Sequence, residues 1–236
     1  MNLILLSEDD FIEPPHRVRL RGRRFTHIAE VHRAAAGDEL AVGLLNGPAG
    51  TGRIVSVARD SIDMELHLDR TPPPPLPVTL VLALPRPKVL KRALVAAATL
   101  GIKRIFLINA YRVEKSFWKS PVMSRENVRE YLMLGLEQAR DTVMPDVSLR
   151  PRFKPFVEDE LPEIARGSIA LVAHPAASDP CPRSVQRPVV AAIGPEGGFI
   201  PYEIDLLRAC GFTSVSLGAR ILRVETALPF FIAKLF

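Results

Sequence analysis

Arg17-Val18-Arg19-Leu20 alternates polar and apolar residues, the period of a strand with one buried face. Residues 39–45, 52–58 and 62–68 follow as further predicted strands, separated by Gly-, Pro- or Asp-rich turns. Between them, 25–36 carries apolar Phe25, Ile28, Ala29 and Val31, which predicts a helix closed by Gly37-Asp38. Short strands at this spacing predict a small β-barrel over residues 1–70. Pro72-Pro73-Pro74-Pro75 and Pro77 then leave neither helix nor ladder hydrogen bonds available, so 71–77 reads as a semi-rigid linker.

The pattern changes after the linker. Residues 78–84 form a continuous apolar run, as expected of a strand buried on both faces. A predicted helix over 88–100 ends at Gly101, and 104–108 is a second strand. A long helix is predicted from Ser124 to about Met144, with Ser124 or Asn127 as cap and Pro145 as stop. Residues 169–173 and 189–193 read as buried strands, 202–210 as a helix closed by Gly211, 214–217 as a short strand and 225–236 as a terminal helix. Alternation of this kind predicts an α/β domain over 78–236, with a mostly parallel sheet and helices on its faces.

Composition narrows the class. The chain has 236 residues, 47% hydrophobic and 24% charged, an ordinary globular balance that excludes disordered and fibrous classes. Its 22 prolines exceed the roughly twelve that average usage of about 5% would give. Cys181 and Cys210 form no CxxC pair, so neither a zinc site nor a disulfide framework is expected, and no metal is assigned. The amino-terminal apolar run is short and lacks a basic flank, and no stretch reaches the roughly 18–20 apolar residues of a membrane span. A soluble cytoplasmic protein is the expectation.

Net charge is +5. Arg17, Arg19, Arg21, Arg23, Arg24 and Arg33, with His16, His27 and His32, crowd one early segment in which no acid occurs until Glu30. Uncompensated arginines repel one another unless an anion balances them, and guanidinium suits bidentate phosphate contact. The six arginines are therefore the candidate RNA-binding residues.

Two loops carry the candidate chemistry. Ile193-Gly194-Pro195-Glu196-Gly197-Gly198-Phe199 follows a buried strand and precedes a helix. One glycine would make that turn; three with a proline in five residues point to a ligand close to the backbone. The second loop, Leu217-Gly218-Ala219-Arg220-Ile221-Leu222-Arg223-Val224-Glu225-Thr226-Ala227, ends a strand and opens the last helix. A helix cap and an intraloop ion pair account for Glu225 and Thr226 but leave Arg220 without a role. No GxGxxG follows a strand, 47–52 ends in Arg53 where a P-loop needs Lys-Ser/Thr, and neither GxSxG nor HExxH occurs. His174 after the strand 169–173 reads as a packed or capping histidine, Cys210 as core, and Glu137 with Asp141 as a solvated helix face.

Ile193-Gly194-Pro195-Glu196-Gly197-Gly198-Phe199 followed by Leu217-Gly218-x-Arg220-x-Leu222-Arg223-x-Glu225-Thr226-Ala227 resembles the signature of the RsmE family, the bacterial 16S ribosomal RNA uracil-N3 methyltransferases of the SPOUT superfamily. His27-Ile28-x-x-Val31-x-Arg33 with Gly37-Asp38 is similar to that family's PUA-like amino-terminal domain. Glu137-Gln138-Ala139-Arg140 with Pro145 resembles its central helix, and Ala173-His174-Pro175 its third cofactor-facing loop. Ala96-Ala97-Ala98-Thr99-Leu100-Gly101 departs from the family's Lys-x-x-Glu-Leu-Gly, lacking both charges.

The resemblance implies a SPOUT-type parallel sheet with a carboxy-terminal trefoil knot, a homodimer with its site at the interface, S-adenosylmethionine as cofactor, and the small-subunit 16S RNA as partner. It assigns cofactor binding to Ala173, His174, Pro175, Ile193, Gly194, Pro195, Glu196, Gly197, Gly198, Leu217, Gly218, Ile221, Leu222, Thr226 and Ala227. Arg220, Arg223 and Glu225 are the candidate catalytic residues: the arginines supply positive charge to a developing uracilate, and Glu225 orients one of them or acts as base, with Glu196 the alternative base. Methylation of another RNA nucleotide and RNA binding without catalysis are the competing readings at this point.

Overall fold

The computed structural model describes residues 2–32 and 34–236, in two units. The first comprises the chain up to Pro74 together with Leu136–Met144. Its strands are β1 (Ile4–Leu6), β2 (Phe11–Glu13), β3 (Arg17–Arg21), β4 (Glu39–Leu44), β5 (Ala49–Val57) and β6 (Ser61–Arg70). They form one sheet in the order β1-β4-β5-β6-β3-β2, antiparallel except where β1 runs parallel to β4. Alternation sets the faces: Val18 and Leu20 of β3 are fully buried while Arg19 and Arg21 point outward. They join Ile4, Leu6, Ile28, Val42, Ile54, Ile62 and Met64 in one core, each such side chain contributing about 1.5–3 kcal/mol by burial. The predicted 25–36 helix is instead a short α1 (Gly22–Thr26) that widens into a π-type turn at His27–His32.

The second unit, Pro75–Gly135 with Pro145–Phe236, carries β7 (Leu76–Ala83), β8 (Ile102–Ile108), β9 (Asp146–Arg150), β10 (Ile169–Ala173), β11 (Val189–Ile193) and β12 (Thr213–Val215). All six strands are parallel, in the order β12-β10-β11-β7-β8-β9. β11 is buried along its whole length, which its Val-Val-Ala-Ala-Ile run requires. Helices α2 (Pro87–Thr99) and α3 (Arg125–Ala139), the turns α4 (Phe153–Pro155) and α5 (Leu161–Ala165), then α6 (Pro201–Ala209) and α7 (Val224–Leu235) complete it. In α2 the buried residues Leu90, Ala93, Leu94, Ala97 and Ala98 make one helical stripe, and this helix packs against α7.

Several elements depart from expectation for local reasons. Pro77 lies inside β7, tolerated because the ladder to β8 shifts register between Leu76 and Thr79. The long helix ends at Ala139, five residues before the predicted Met144, because Arg140 takes a left-handed φ of 56°. Ser124 caps it, its Oγ accepting the Asn127 N–H at 3.2 Å. From the last turn of α3 onward, Leu136–Met144 joins the first unit instead of the predicted 78–236 domain: Thr142 Oγ1 donates to Gly47 O at 2.6 Å, and Asn46 N–H to Thr142 O at 2.8 Å. Glu137 and Asp141, expected on a solvated face, are both buried there. Glu137 receives Arg23, and Asp141 Oδ1 accepts the Val143 N–H at 2.9 Å.

Candidate functional site

The carboxyl ends of β10 and β11 and the loop after β12 open onto one cavity of about 330 Å³, within the range of small-molecule sites. Ala173, His174 and Pro175 come from the first loop, Ile193, Gly194, Pro195, Glu196, Gly197 and Gly198 from the second, and Leu217, Gly218, Ile221 and Leu222 from the third. Ala227 of α7 adds an apolar wall. The structure thus gathers three segments separated by about twenty residues each, because parallel strands deliver their carboxyl ends to one edge.

Local chemistry explains each wall. Gly218 holds φ at +134°, a conformation L side chains rarely adopt, with its N–H donating to Ser216 Oγ at 3.2 Å. Gly198 N–H donates to Pro195 O at 2.7 Å, closing the glycine loop into a tight turn above buried Phe199. His174 Nδ1 accepts the Ala176 N–H at 3.2 Å, and the His174 backbone N–H donates to Val215 O at 3.0 Å, so this residue fixes its loop. Burial, and then the nearby Arg208 charge, hold its pKa below the ordinary 6.5, which keeps the ring neutral. Glu196 Oε1 accepts the backbone N–H of Arg86 at 2.9 Å.

The three candidate catalytic residues are placed differently. Arg220 lines the cavity and is exposed. Arg223 does not line it; it is the N-cap residue of α7, its carbonyl accepting the N–H groups of Thr226 and Ala227. Glu225 is also outside the lining, with Oε1 3.6 Å from Arg92 Nη1 of α2. Thr226 is exposed in the first turn of α7 and does not line the cavity.

Arg112, Ala176, Phe199 and Val224 line the cavity without having been selected from sequence. Arg112 follows β8 and donates to Gly197 O. No local pattern around Arg112 signals this, since its partner is remote in sequence. Among the described residues no three His, Cys, Asp or Glu side chains are grouped to hold a metal ion, and no helix is long and apolar enough to cross a membrane.

The arginine cluster of the first unit is compensated, contrary to the premise drawn from its local sequence. Arg19 makes a bidentate pair with Asp63 at 2.7 and 2.9 Å, and Arg17 approaches the same carboxylate at 3.5 Å. Arg23 pairs with Glu137 at 2.8 Å, and Arg24 with Asp10 at 2.6 Å through both nitrogens. Asp63 and Glu137 lie far away in the chain, and Asp10 just ahead of the cluster; folding brings all three in. Hydrogen bonds from Arg19 lower the Asp63 carboxyl below its ordinary pKa. Burial alone would raise Asp10, but its bonds from Arg24 and Ser7 together outweigh this and lower it. Arg21 remains exposed on the outer face of β3. Arg33 lies outside the described residues.

A six-stranded parallel sheet whose glycine loops meet at one edge is the arrangement of an RNA methyltransferase domain, and the model of that family matches residues 72–235. The ribosomal RNA small subunit methyltransferase E of Treponema pallidum is 29% identical over 232 residues, covering 96% of this chain and 87% of its own. The protein of the same name from Mycobacterium bovis is 26% identical, covering 85% and 79%. In fold, the chain resembles the ribosomal RNA small subunit methyltransferase E of Neisseria gonorrhoeae bound to S-adenosyl methionine, with a TM-score of 0.75 at 22% identity over 99% of this chain and 96% of that one. The chain belongs to the RNA methyltransferase domain family.

Proposed function

We propose that this chain transfers the methyl group of S-adenosylmethionine to N3 of a uracil in the 16S RNA of the small ribosomal subunit. The observation that carries this reading is the single cavity formed by the three loops at the strand ends. Its residues fit an adenosyl group: apolar Ile193, Leu217, Ile221, Leu222 and Ala227 supply a slot for a flat base. The glycine loops bring backbone polar groups to the cavity wall, and about 330 Å³ suits a ligand of that size. Ala173, His174, Pro175, Gly194, Pro195, Glu196, Gly197, Gly198 and Gly218 complete the cofactor-binding assignment, with Thr226 behind the wall at the start of α7. When bound, the cofactor supplies an electrophilic methyl group on a sulfonium.

The protein's own residues prepare the acceptor. Arg220, on the cavity wall, places positive charge where N3 becomes anionic. Glu196 also lines the cavity, and the Arg86 N–H occupies only its Oε1. This makes Glu196 the carboxylate that takes the N3 proton, in preference to Glu225, which faces Arg92. Arg223 and Glu225 position the start of α7 beside Arg220. Because N3 lies on the pairing edge of uracil, the target base is unpaired or flipped when it enters.

The finer architecture belongs to the same proposal. The strand order β12-β10-β11-β7, with Val185 N–H donating to the Leu235 carbonyl at the end of α7, supports a trefoil knot in the second unit. The largely antiparallel first sheet around one core supports a PUA-like barrel. There exposed Arg21 is the first contact for RNA phosphates; Arg17, Arg19, Arg23 and Arg24 would reach them only with the nitrogens left over from their pairs with Asp63, Glu137 and Asp10, and Arg33 completes the set. Exposed Ile221 and Phe230 support a homodimer, and ribosomal RNA as substrate supports a cytoplasmic location.

Two readouts test the proposal together. Calorimetry with S-adenosylmethionine should give one saturable site, and label from its methyl group should enter 16S RNA when small subunits from a strain lacking the enzyme are supplied. Cofactor binding without transfer to any small-subunit RNA would refute the substrate; absence of cofactor binding would refute the reaction.

A further inference from the structure

We propose that Tyr111, with neighbouring Arg112, is a stacking rest that seats an unpaired RNA base at the mouth of the cavity. The inference rests on the methyltransferase reading for the identity of that RNA as substrate.

The turn that carries Tyr111 is anchored at every step. Asn109 N–H donates to Arg150 O at 3.0 Å, and Asn109 Oδ1 accepts the Trp118 Nε1–H at 3.0 Å. Val113 N–H closes the turn onto Ala110 O at 3.0 Å. Tyr111 N–H donates at 2.7 Å to Oε1 of Glu203, a carboxylate that is only 2% exposed. The other oxygen of Glu203 accepts the Ile200 N–H at 3.0 Å, so one buried carboxylate ties this turn to the residues just after the glycine loop. All of this fixes the Tyr111 backbone, yet its side chain is 78% exposed. The fold uses the backbone of Tyr111 and leaves the ring to solvent.

Arg112, the next residue in the chain, reaches the site. Its side chain lies against Gly197, where an added Cβ would come 2.8 Å from Arg112 Cδ, and it lines the cavity. One guanidinium donor is held by Gly197 O, which leaves others on a planar cation one residue along the chain from Tyr111. A flat, uncharged ring and a cation on consecutive residues match a nucleobase and its phosphate. Stacking on such a ring tolerates any base, so Tyr111 seats the nucleotide and does not select it; loss of one such platform weakens single-strand binding by about 5- to 150-fold.

The test uses the full chain and a short single-stranded RNA carrying the fluorescent base 2-aminopurine. Wild type and Tyr111→Phe should quench the base with affinities within about twofold of each other, while Tyr111→Ala should bind about tenfold or more weakly and lose the quench. Calorimetric binding of S-adenosylmethionine should be equal in all three. The proposal is overturned if wild type fails to quench, if Tyr111→Ala matches wild type, if Tyr111→Phe fails like alanine, or if Tyr111→Ala loses cofactor binding in parallel. Methyl transfer is read separately. A wild type that binds and quenches but transfers no methyl group contradicts the methyltransferase reading and leaves the stacking rest standing.

Discussion

The backbone N–H of Arg86, the N-cap residue of α2, donates to Glu196 Oε1 at 2.9 Å. A residue of the glycine loop therefore does for α2 what the acidic member of a capping box does within its own helix. Glu196 both holds a helix start and lines the cavity. The two roles separate by substitution. Glu196→Gln retains an acceptor for Arg86, so cofactor affinity and melting temperature should stay near wild type while turnover falls by roughly 10²-fold or more, the loss expected of a missing base. Glu196→Ala should lose turnover and also melt earlier. Equal turnover of Glu196→Gln and wild type across the pH range would remove Glu196 as base.

Arg220 lines the cavity and Arg223 does not, so their alanine variants should differ. Arg220→Ala should reduce turnover with saturating RNA by roughly 10²-fold, as when one preorganised electrostatic contact is removed. Arg223→Ala should have the smaller effect, since its helix contacts use the backbone carbonyl. Single-turnover methyl transfer measures both. The electrostatic role fails if Arg220→Ala changes only the RNA concentration needed for saturation.

His174 gives the loop after β10 a pH dependence with a defined sign. Burial first, and the Arg208 charge second, lower its folded pKa below 6.5, so the unfolded chain binds the proton more readily. Its contribution to stability is complete above 6.5 and is lost as pH falls through the folded value. The melting temperature of wild type should drop over that acid range more than that of His174→Gln. Parallel curves would contradict the neutral, loop-fixing imidazole.

The first unit should show an asymmetry between two partners. Glu137 has a side chain only 3% exposed, whereas Arg23 is 45% exposed. Arg23→Met leaves a buried carboxylate without its cation and should cost about 2 kcal/mol, below the 3–5 of a fully buried pair. Glu137→Gln leaves an arginine that reaches water and should cost less. Denaturant unfolding of the two variants and of Arg23→Met/Glu137→Leu, which should recover most of the loss, decides this.

The glycine loops were legible in sequence because their chemistry is local: a buried strand, then several glycines, then a helix start. The six arginines were legible as a cluster, but the compensation of Arg17, Arg19, Arg23 and Arg24 was not, because Asp63 reaches them through sheet pairing, Glu137 through the return of Leu136–Met144, and Asp10 through the short turn ahead of β2. The end of α3 was misplaced since Pro145 is a visible stop, whereas the left-handed turn at Arg140 leaves no mark in a non-glycine residue. β9, Asp146–Arg150, was missed because its burial pattern lacks the continuous apolar run of the inner strands. Arg112 was missed for the same reason as the acids: its partner, Gly197 O, is supplied from a loop remote in sequence.

The central claim is methylation at uracil N3, and the chemical identity of the product tests it most directly. Small subunits lacking the modification are incubated with the protein and S-adenosylmethionine, and the 16S RNA is digested to nucleosides for mass spectrometry against authentic standards. The account predicts 3-methyluridine approaching one equivalent per subunit. A methyl group on carbon 5, on the ribose or on another base would contradict it.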